Sequence, residues 1–400
     1  MKTFPQIDKS QCKLIYRNYV CPWGGKQDIY LVPLEMLHLN IDNGRIATWV
    51  SGHESNPNVR RFEDMTLEEW NKTLIKFINE SSSKDEYNRT YRSLYQDGQL
   101  KVGAILSDGT VVAGNRRCSI LMTLLHDTGN YERFGYFQCA IFDVPNTEEG
   151  RKELKRLETK TQYGEDTPVA YGPIEKLVDI YTNVIAPGHA YSETEYQNYL
   201  GLKKSQMDNY VARAKILVDY LEYLGKPGNY EIARIEKLDG PINELAGLRK
   251  KVSDKEWERI KISFYNTLSN ESGKKGDRTR IVRALIKIYY NTPEEFEKDL
   301  AQQDDDLLSN DAAAAGVNGT TSTSSTAQSR NDRIITNAMG IQIEAAKKKP
   351  LTYAENALDI LVKLDKVAIA IMNDEDREEF FKRINSIIRI AQNFTKDNIQ

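Results

Sequence analysis

Histidine and cysteine are scarce in this chain, four of each in 400 residues. Cys12, Cys21, Cys118 and Cys139 form no Cys-x-x-Cys pair, and His38, His53, His126 and His189 are widely spaced. No zinc-ligand spacing results, and no metal site is expected from these residues. Four unclustered thiols read as reduced, buried side chains of a cytosolic protein. Long apolar runs are missing as well. The most apolar stretch, Ile360 to Met372, is interrupted by Lys363, Asp365 and Lys366, so none reaches the ~18 residues that a bilayer crossing needs. Met1 to Ser10 contains no apolar leader core, and a cytoplasmic location with no membrane partner is expected. Charge of one sign is also lacking, since the formal net charge is −3. A surface that is basic throughout is thereby excluded, although a local basic face is not.

With 40% hydrophobic and 28% charged residues, the chain has the composition of a globular protein of two or three domains. Two short strands are expected between Cys12 and Val32 around a Pro22-Trp23-Gly24-Gly25 break. Apolar spacing predicts a helix over 63–80 capped by Asp64, and a second over Lys84 to Asp97. Leu100 to Leu106 and Thr110 to Ala113 then read as a hairpin across Ser107-Asp108-Gly109. A helix from Arg116 to Leu125, capped by Asn115, follows, and then a strand over Phe137 to Val144. The fold class is α+β, a small mixed domain over 1–147 followed by helical regions. These are linker helices and a helix-turn-helix at 148–225, a helical extension at 226–301, a low-complexity disordered linker at 302–332 and a helical hairpin at 333–400. The hairpin's helices, Tyr353 to Met372 and Asp374 to Phe394, bury little by themselves, so a homodimer is expected.

Two motifs carry chemistry. Gly114, Asn115, Arg116 and Arg117 stand where a strand hands over to a helix. Outward-pointing N–H groups and the helix dipole favour an anion there, glycine lets a phosphate come close, and two guanidinium groups add bidentate donors. The second motif is a helix-turn-helix over 192–217. Ser192 caps the first helix with Glu195 at the capping-box position, Gly201 makes the turn, and Ser205 caps the second helix. Lys203, Lys204 and Arg213 are the expected phosphate contacts, and Gln206 and Asn209 the expected base contacts. Between 185 and 290 there are 19 Lys and Arg against 14 Asp and Glu, a local positive excess that suits DNA.

In order and motif the chain resembles the ParB family. The resemblance runs through Val32-Pro33-Leu34, the Asn40 to Arg45 loop, Gly98-Gln99, the hairpin, the Gly114 to Arg117 turn, and Gly201-Leu202-Lys203-Lys204-Ser205 with Met207, Asn209, Tyr210 and Val211. It implies a ParB/sulfiredoxin-like fold for the first domain and DNA as partner. It also implies a nucleoside triphosphate, usually CTP and possibly with Mg²⁺, held by Gly114, Asn115, Arg116, Arg117, Arg45 and Glu158. Of the family's Glu-Asn-x-x-Arg motif, the run Glu158-Thr159-Lys160-Thr161-Gln162 keeps the glutamate alone, so a CTPase-like turnover stays open. The Pro-Ile-Glu that follows is present as Pro173-Ile174-Glu175. Sulfiredoxins place a catalytic cysteine where this chain has Asn115. The implied biology is prokaryotic, plasmid or phage partition at the nucleoid. The alternatives are a phosphotransferase or ParB-like nuclease on the same fold, which would need a metal near Asp42, Asp108 or Glu158, and an adaptor with a vestigial turn.

Overall fold

The structure is a computed structural model. It describes residues 4–21, 25–143, 171–269, 278–298 and 354–396, with 150, 152, 153, 155–157, 159, 334, 336, 338 and 351. The chain divides into two compact units, Met1–Ile335 and Thr336–Gln400.

The first unit opens on a six-stranded mixed sheet. Its strands are β1 (Lys13–Val20), β2 (Lys26–Pro33), β3 (His38–Leu39), β4 (Gly103–Leu106), β5 (Thr110–Ala113) and β6 (Tyr136–Phe142), arranged in the order β1-β2-β6-β4-β5-β3. β6/β4 and β5/β3 pair in parallel and the other neighbours antiparallel. At the β4–β5 turn Gly109 has φ +88°, and a Cβ there would sit 2.3 Å from the Met36 carbonyl oxygen, so only glycine fits. Asp108 fixes the same turn by accepting the Thr110 N–H at 2.9 Å.

Helices α1 (Ala47–Glu54), α2 (Leu67–Glu80), α3 (Lys84–Asp97), α4 (Asn115–Thr128) and α5 (Tyr131–Phe134) accompany this sheet. α2 buries Trp70, Leu74, Phe77 and Ile78, one stripe at helical spacing, in the core that also takes Val32, Leu39, Ile105, Leu121 and Phe137. Its cap is Thr66 rather than the expected Asp64. The Thr66 hydroxyl receives the Glu69 N–H, and Glu69 receives that of Thr66, a reciprocal pair out of reach of Asp64 in its 3-10 turn Phe62–Asp64.

The rest of this unit is helical among the described residues. It comprises α6 (Pro173–Ile180), extended by a π-helical turn Tyr181–Ile185, then α7 (Glu193–Leu200), α8 (Lys204–Tyr223), α9 (Tyr230–Ile235), α10 (Asp239–Arg249), α11 (Asp254–Ser269) and α12 (Arg278–Asn291). α8 is the axis, packed on α6, α7 and α10, and it buries Met207, Ala214, Leu217 and Tyr220. α1 joins the sheet part to the helical part. Gly52 lets α9 approach so closely that a Cβ would strike the Glu231 side chain, and the Arg234 guanidinium lies 4.0 Å from the centre of the Trp49 ring.

In the second unit residues 354–362 are helical, followed by α13 (Lys366–Ala370) and α14 (Asp374–Lys396). The expected continuous helix from Tyr353 to Met372 is therefore broken. Asp365 accepts the Val367 N–H at 2.7 Å and starts a new helix. The expected disordered linker, 302–332, lies outside the described residues. Among the described residues no helix is long and apolar enough to cross a membrane.

Candidate functional site

The β5–α4 junction turns in one residue. Gly114 is left-handed, with φ +93° and ψ +24°, and it rather than Asn115 is the N-cap of α4. The expected capping role of Asn115 is thus replaced by a tying role. Asn115 is buried, its Oδ1 accepts the Asn40 N–H at 3.0 Å, and its Nδ2 donates to the Val111 carbonyl at 2.8 Å. One side chain thereby fastens the Asn40–Arg45 loop to the strand that ends at the turn.

The arginines have different neighbours. Arg117 folds back over Gly114, where a Cβ would lie 3.1 Å from its Nη2 and 3.0 Å from Phe137 Cζ. Arg116 reaches α3, with Nη2 at 3.6 Å from Glu86 Oε2. Arg45 sits on a 3-10 turn, Gly44–Ile46, of the fastened loop. The Nε atoms of Arg45, Arg116 and Arg117 are all buried, so each of these side chains is anchored in the fold. Glu158, the remaining expected nucleotide contact, lies outside the described residues. Cys118 is fully buried and burial pushes its thiol far up, so it is an inert packing group.

The far side of the same loop meets α6. At Gly44 a Cβ would be 3.1 Å from the Tyr171 ring and 3.4 Å from Asp179 Oδ1. Thr48, in the first turn of α1, donates to the buried carboxylate of Glu175 at 2.7 Å. Asp179, also buried, accepts from Asn183 Nδ2 at 2.8 Å and from the hydroxyl of Tyr196. Tyr196 belongs to α7, the first helix of the helix-turn-helix. Contacts therefore run from the β5–α4 turn to the Asn40–Arg45 loop by the Asn115–Asn40 hydrogen bond, from the loop to α6 by the close packing of Gly44 on Tyr171 and Asp179, and from α6 to α7 by the Asp179–Tyr196 hydrogen bond. Of this seam the sequence marked the Asn40–Arg45 loop and Glu175. Thr48, Asp179, Asn183 and Tyr196 leave no periodic or motif signal.

The helix-turn-helix forms as α7, Gly201 and α8. Ser192 and Glu195 make the expected capping box and Gly201 is left-handed with φ +62°. α8, however, starts at Lys204 with Lys203 as N-cap, so Ser205 is an exposed residue of its first turn and not its cap. Gln206 takes over, its Oε1 receiving the Lys203 N–H at 2.9 Å. Lys204 is exposed, 3.0 Å from Asp208 and 3.8 Å from Glu193. Its hydrogen bond, with the nearby charge of Lys250 adding, holds the Asp208 carboxyl below the usual range. Asn209 is half-buried. Arg213, expected on a phosphate, turns inward. Its side chain is 12% exposed, paired with Asp239 of α10 and 5.5 Å from the Tyr210 ring centre. The exposed cations at the start of α8 are thus Lys203 and Lys204, with Lys250 from the end of α10 near Asp208.

Among the described residues no group of three or more His, Cys, Asp or Glu is placed to hold a metal ion. No family model matches the chain, and no curated protein matches it either.

Proposed function

We propose that this is a ParB-like DNA-binding protein whose grip on DNA responds to a nucleoside triphosphate at the Gly114–Arg117 turn, CTP by resemblance. The observation that carries this reading is the run of contacts from that turn to α7, hydrogen bonds at its two ends and the close approach of Gly44 to Asp179 between them. A ligand that orders the Asn40–Arg45 loop differently bears on Asn115 at one end of the route and on Asp179 and Tyr196 at the other. Differential affinity for two arrangements of these elements is all that a population shift requires. The first-turn N–H groups of α4, with Arg45, Arg116 and Arg117, would hold phosphate oxygens, and any Mg²⁺ would accompany the nucleotide. On the DNA side Lys203, Lys204 and Lys250 would meet phosphates, and Asn209 and Gln206 would face bases from the first turns of α8.

The test combines two titrations on the full chain. Thermal unfolding with CTP, ATP, GTP and UTP, with and without Mg²⁺, should rise for at least one nucleotide by mass action. Arg117→Ala should abolish that rise at a basal cost of about 1 kcal/mol. Fluorescence anisotropy on a fragment library should give DNA affinity that falls with salt and changes when the nucleotide is added. If no nucleotide raises the transition and no salt-dependent DNA binding is found, the reading is overturned.

A further inference from the structure

A cleft of about 520 Å³ lies between α8, the end of α10 and α11. Val211, Ala212 and Ile216 of α8 and Trp257 of α11 give it an apolar lining. Trp257 is fixed in place, buried with its ring edge-on to that of Tyr265. Four carboxylates border the cleft, and each is already matched. Asp219 receives Lys261 at 3.0 Å and the Tyr265 hydroxyl at 2.9 Å, and Glu258 meets the same Lys261 at 2.7 Å. Asp208 and Glu193 share Lys204, at 3.0 and 3.8 Å. The cations are not all matched. Arg249 pairs with Asp254, but Lys215 of α8 and Lys250 are exposed and make no ion pair among the described residues. The cleft thus combines an apolar lining with uncommitted positive charge at its rim. Its volume is that of a small-molecule site, ~300–1,000 Å³, whereas a stable protein partner needs about 800 Å² of surface on each side.

We infer that this cleft binds a small organic anion, an aromatic or aliphatic body that carries a carboxylate, sulfonate or phosphate group. The body covers Val211, Ala212 and Ile216 and excludes water from them. The acidic group stays at the rim, in the field of Lys215 and Lys250. Charge then decides which apolar molecules are held: a neutral body gains the same burial without the attraction. The bordering carboxylates do not repel the anion strongly, because Lys204 and Lys261 offset them. Lys250 is also one of the three cations assigned above to DNA phosphates. An occupant of the cleft therefore competes with DNA for that charge, a consequence that, unlike the binding itself, rests on the proposed function.

Titration of the full chain with anilinonaphthalene sulfonate, read by the probe's fluorescence without DNA or nucleotide, tests the binding. Phenylnaphthylamine, the same body without the sulfonate, should bind about tenfold more weakly. Lys215→Glu and Lys250→Glu should each weaken the sulfonate about tenfold and leave the neutral probe unchanged. Both positions are exposed, so circular dichroism should show unchanged helix content. Ala212→Trp, which fills the cleft, should weaken both probes. Equal affinity for the two probes overturns the proposal, as does sulfonate binding that none of the three variants alters, since the probe then adsorbs elsewhere. A wild type that binds neither probe overturns it too. DNA anisotropy with saturating sulfonate should show weakened DNA binding in the wild type and not in Ala212→Trp. Unchanged DNA affinity in the wild type overturns the competition at Lys250. A chain that binds the sulfonate but no DNA overturns the proposed function alone.

Discussion

Replacing Tyr196 by Phe should separate the stability of the seam from its role as a connection. The ring is fully buried, 5.1 Å from that of Tyr191 between centres, and Phe keeps this packing. What is lost is one donor to the Asp179 carboxylate and one acceptor for Asn183 Nδ2, which lies 3.2 Å from the hydroxyl. A hydrogen bond to a charged group is worth ~1.5–3 kcal/mol, and the charged partner here stays buried, so a loss of about 2 kcal/mol is expected. Urea unfolding followed by circular dichroism measures it. A double cycle with Asp179→Asn should give a coupling energy well above ~0.5 kcal/mol, the scatter of independent sites. The functional half is read by anisotropy: DNA affinity with nucleotide divided by that without should move toward one in Tyr196→Phe. A cost under about 0.5 kcal/mol refutes the stability argument. A cost near 2 kcal/mol with an unchanged nucleotide effect refutes the seam as the connection.

Two further outcomes follow from single residues. Gly114→Ala forces a left-handed conformation on a residue with a Cβ and presses it on Phe137 and Arg117; urea unfolding should show a loss of ~1–3 kcal/mol, and a change below about 0.5 kcal/mol would show that the junction relaxes freely. His38 is buried against Phe4, and burial lowers its pKa despite the opposing attraction of Asp108. Its contribution is therefore complete above the unfolded value near 6.5 and is lost as pH falls through that region, where the unfolded chain takes the proton more readily. Unfolding free energies between pH 7.5 and 5 should slope accordingly and lose part of the slope in His38→Gln; equal slopes would refute it.

Periodicity made the elements legible and side-chain bookkeeping did not follow from it. α2, α3, the β4–β5 hairpin and the α7–Gly201–α8 pair are where apolar spacing and glycine placed them, because each is decided by residues a few positions apart. The errors share a cause. Asn115 and Ser205 are good capping residue types, but a left-handed Gly114 performs the turn at one site and Gln206 serves Lys203 at the other. Local preference ranks candidates, and three-dimensional competition for the same N–H groups selects one. The seam was mostly invisible for a different reason. Thr48 and Glu175 are 127 positions apart and Asp179 and Tyr196 are 17 apart, and no pattern within one element registers such a pair.

Charge shows the same gap between composition and structure. The positive excess over 185–290 suggests a broad basic face, yet much of it is committed to ion pairs within the chain. Arg213 pairs with Asp239, Arg259 with Glu256 and Glu297, Lys261 with Asp219, Arg278 with Glu236 and Arg283 with Glu244. A guanidinium committed to a carboxylate neutralises no phosphate unless that pair breaks. The candidate footprint at the start of α8 therefore contracts to Lys203, Lys204 and Lys250. Each phosphate neutralised contributes about −0.9 to the slope of log affinity against log salt, so three contacts give roughly −3 per chain.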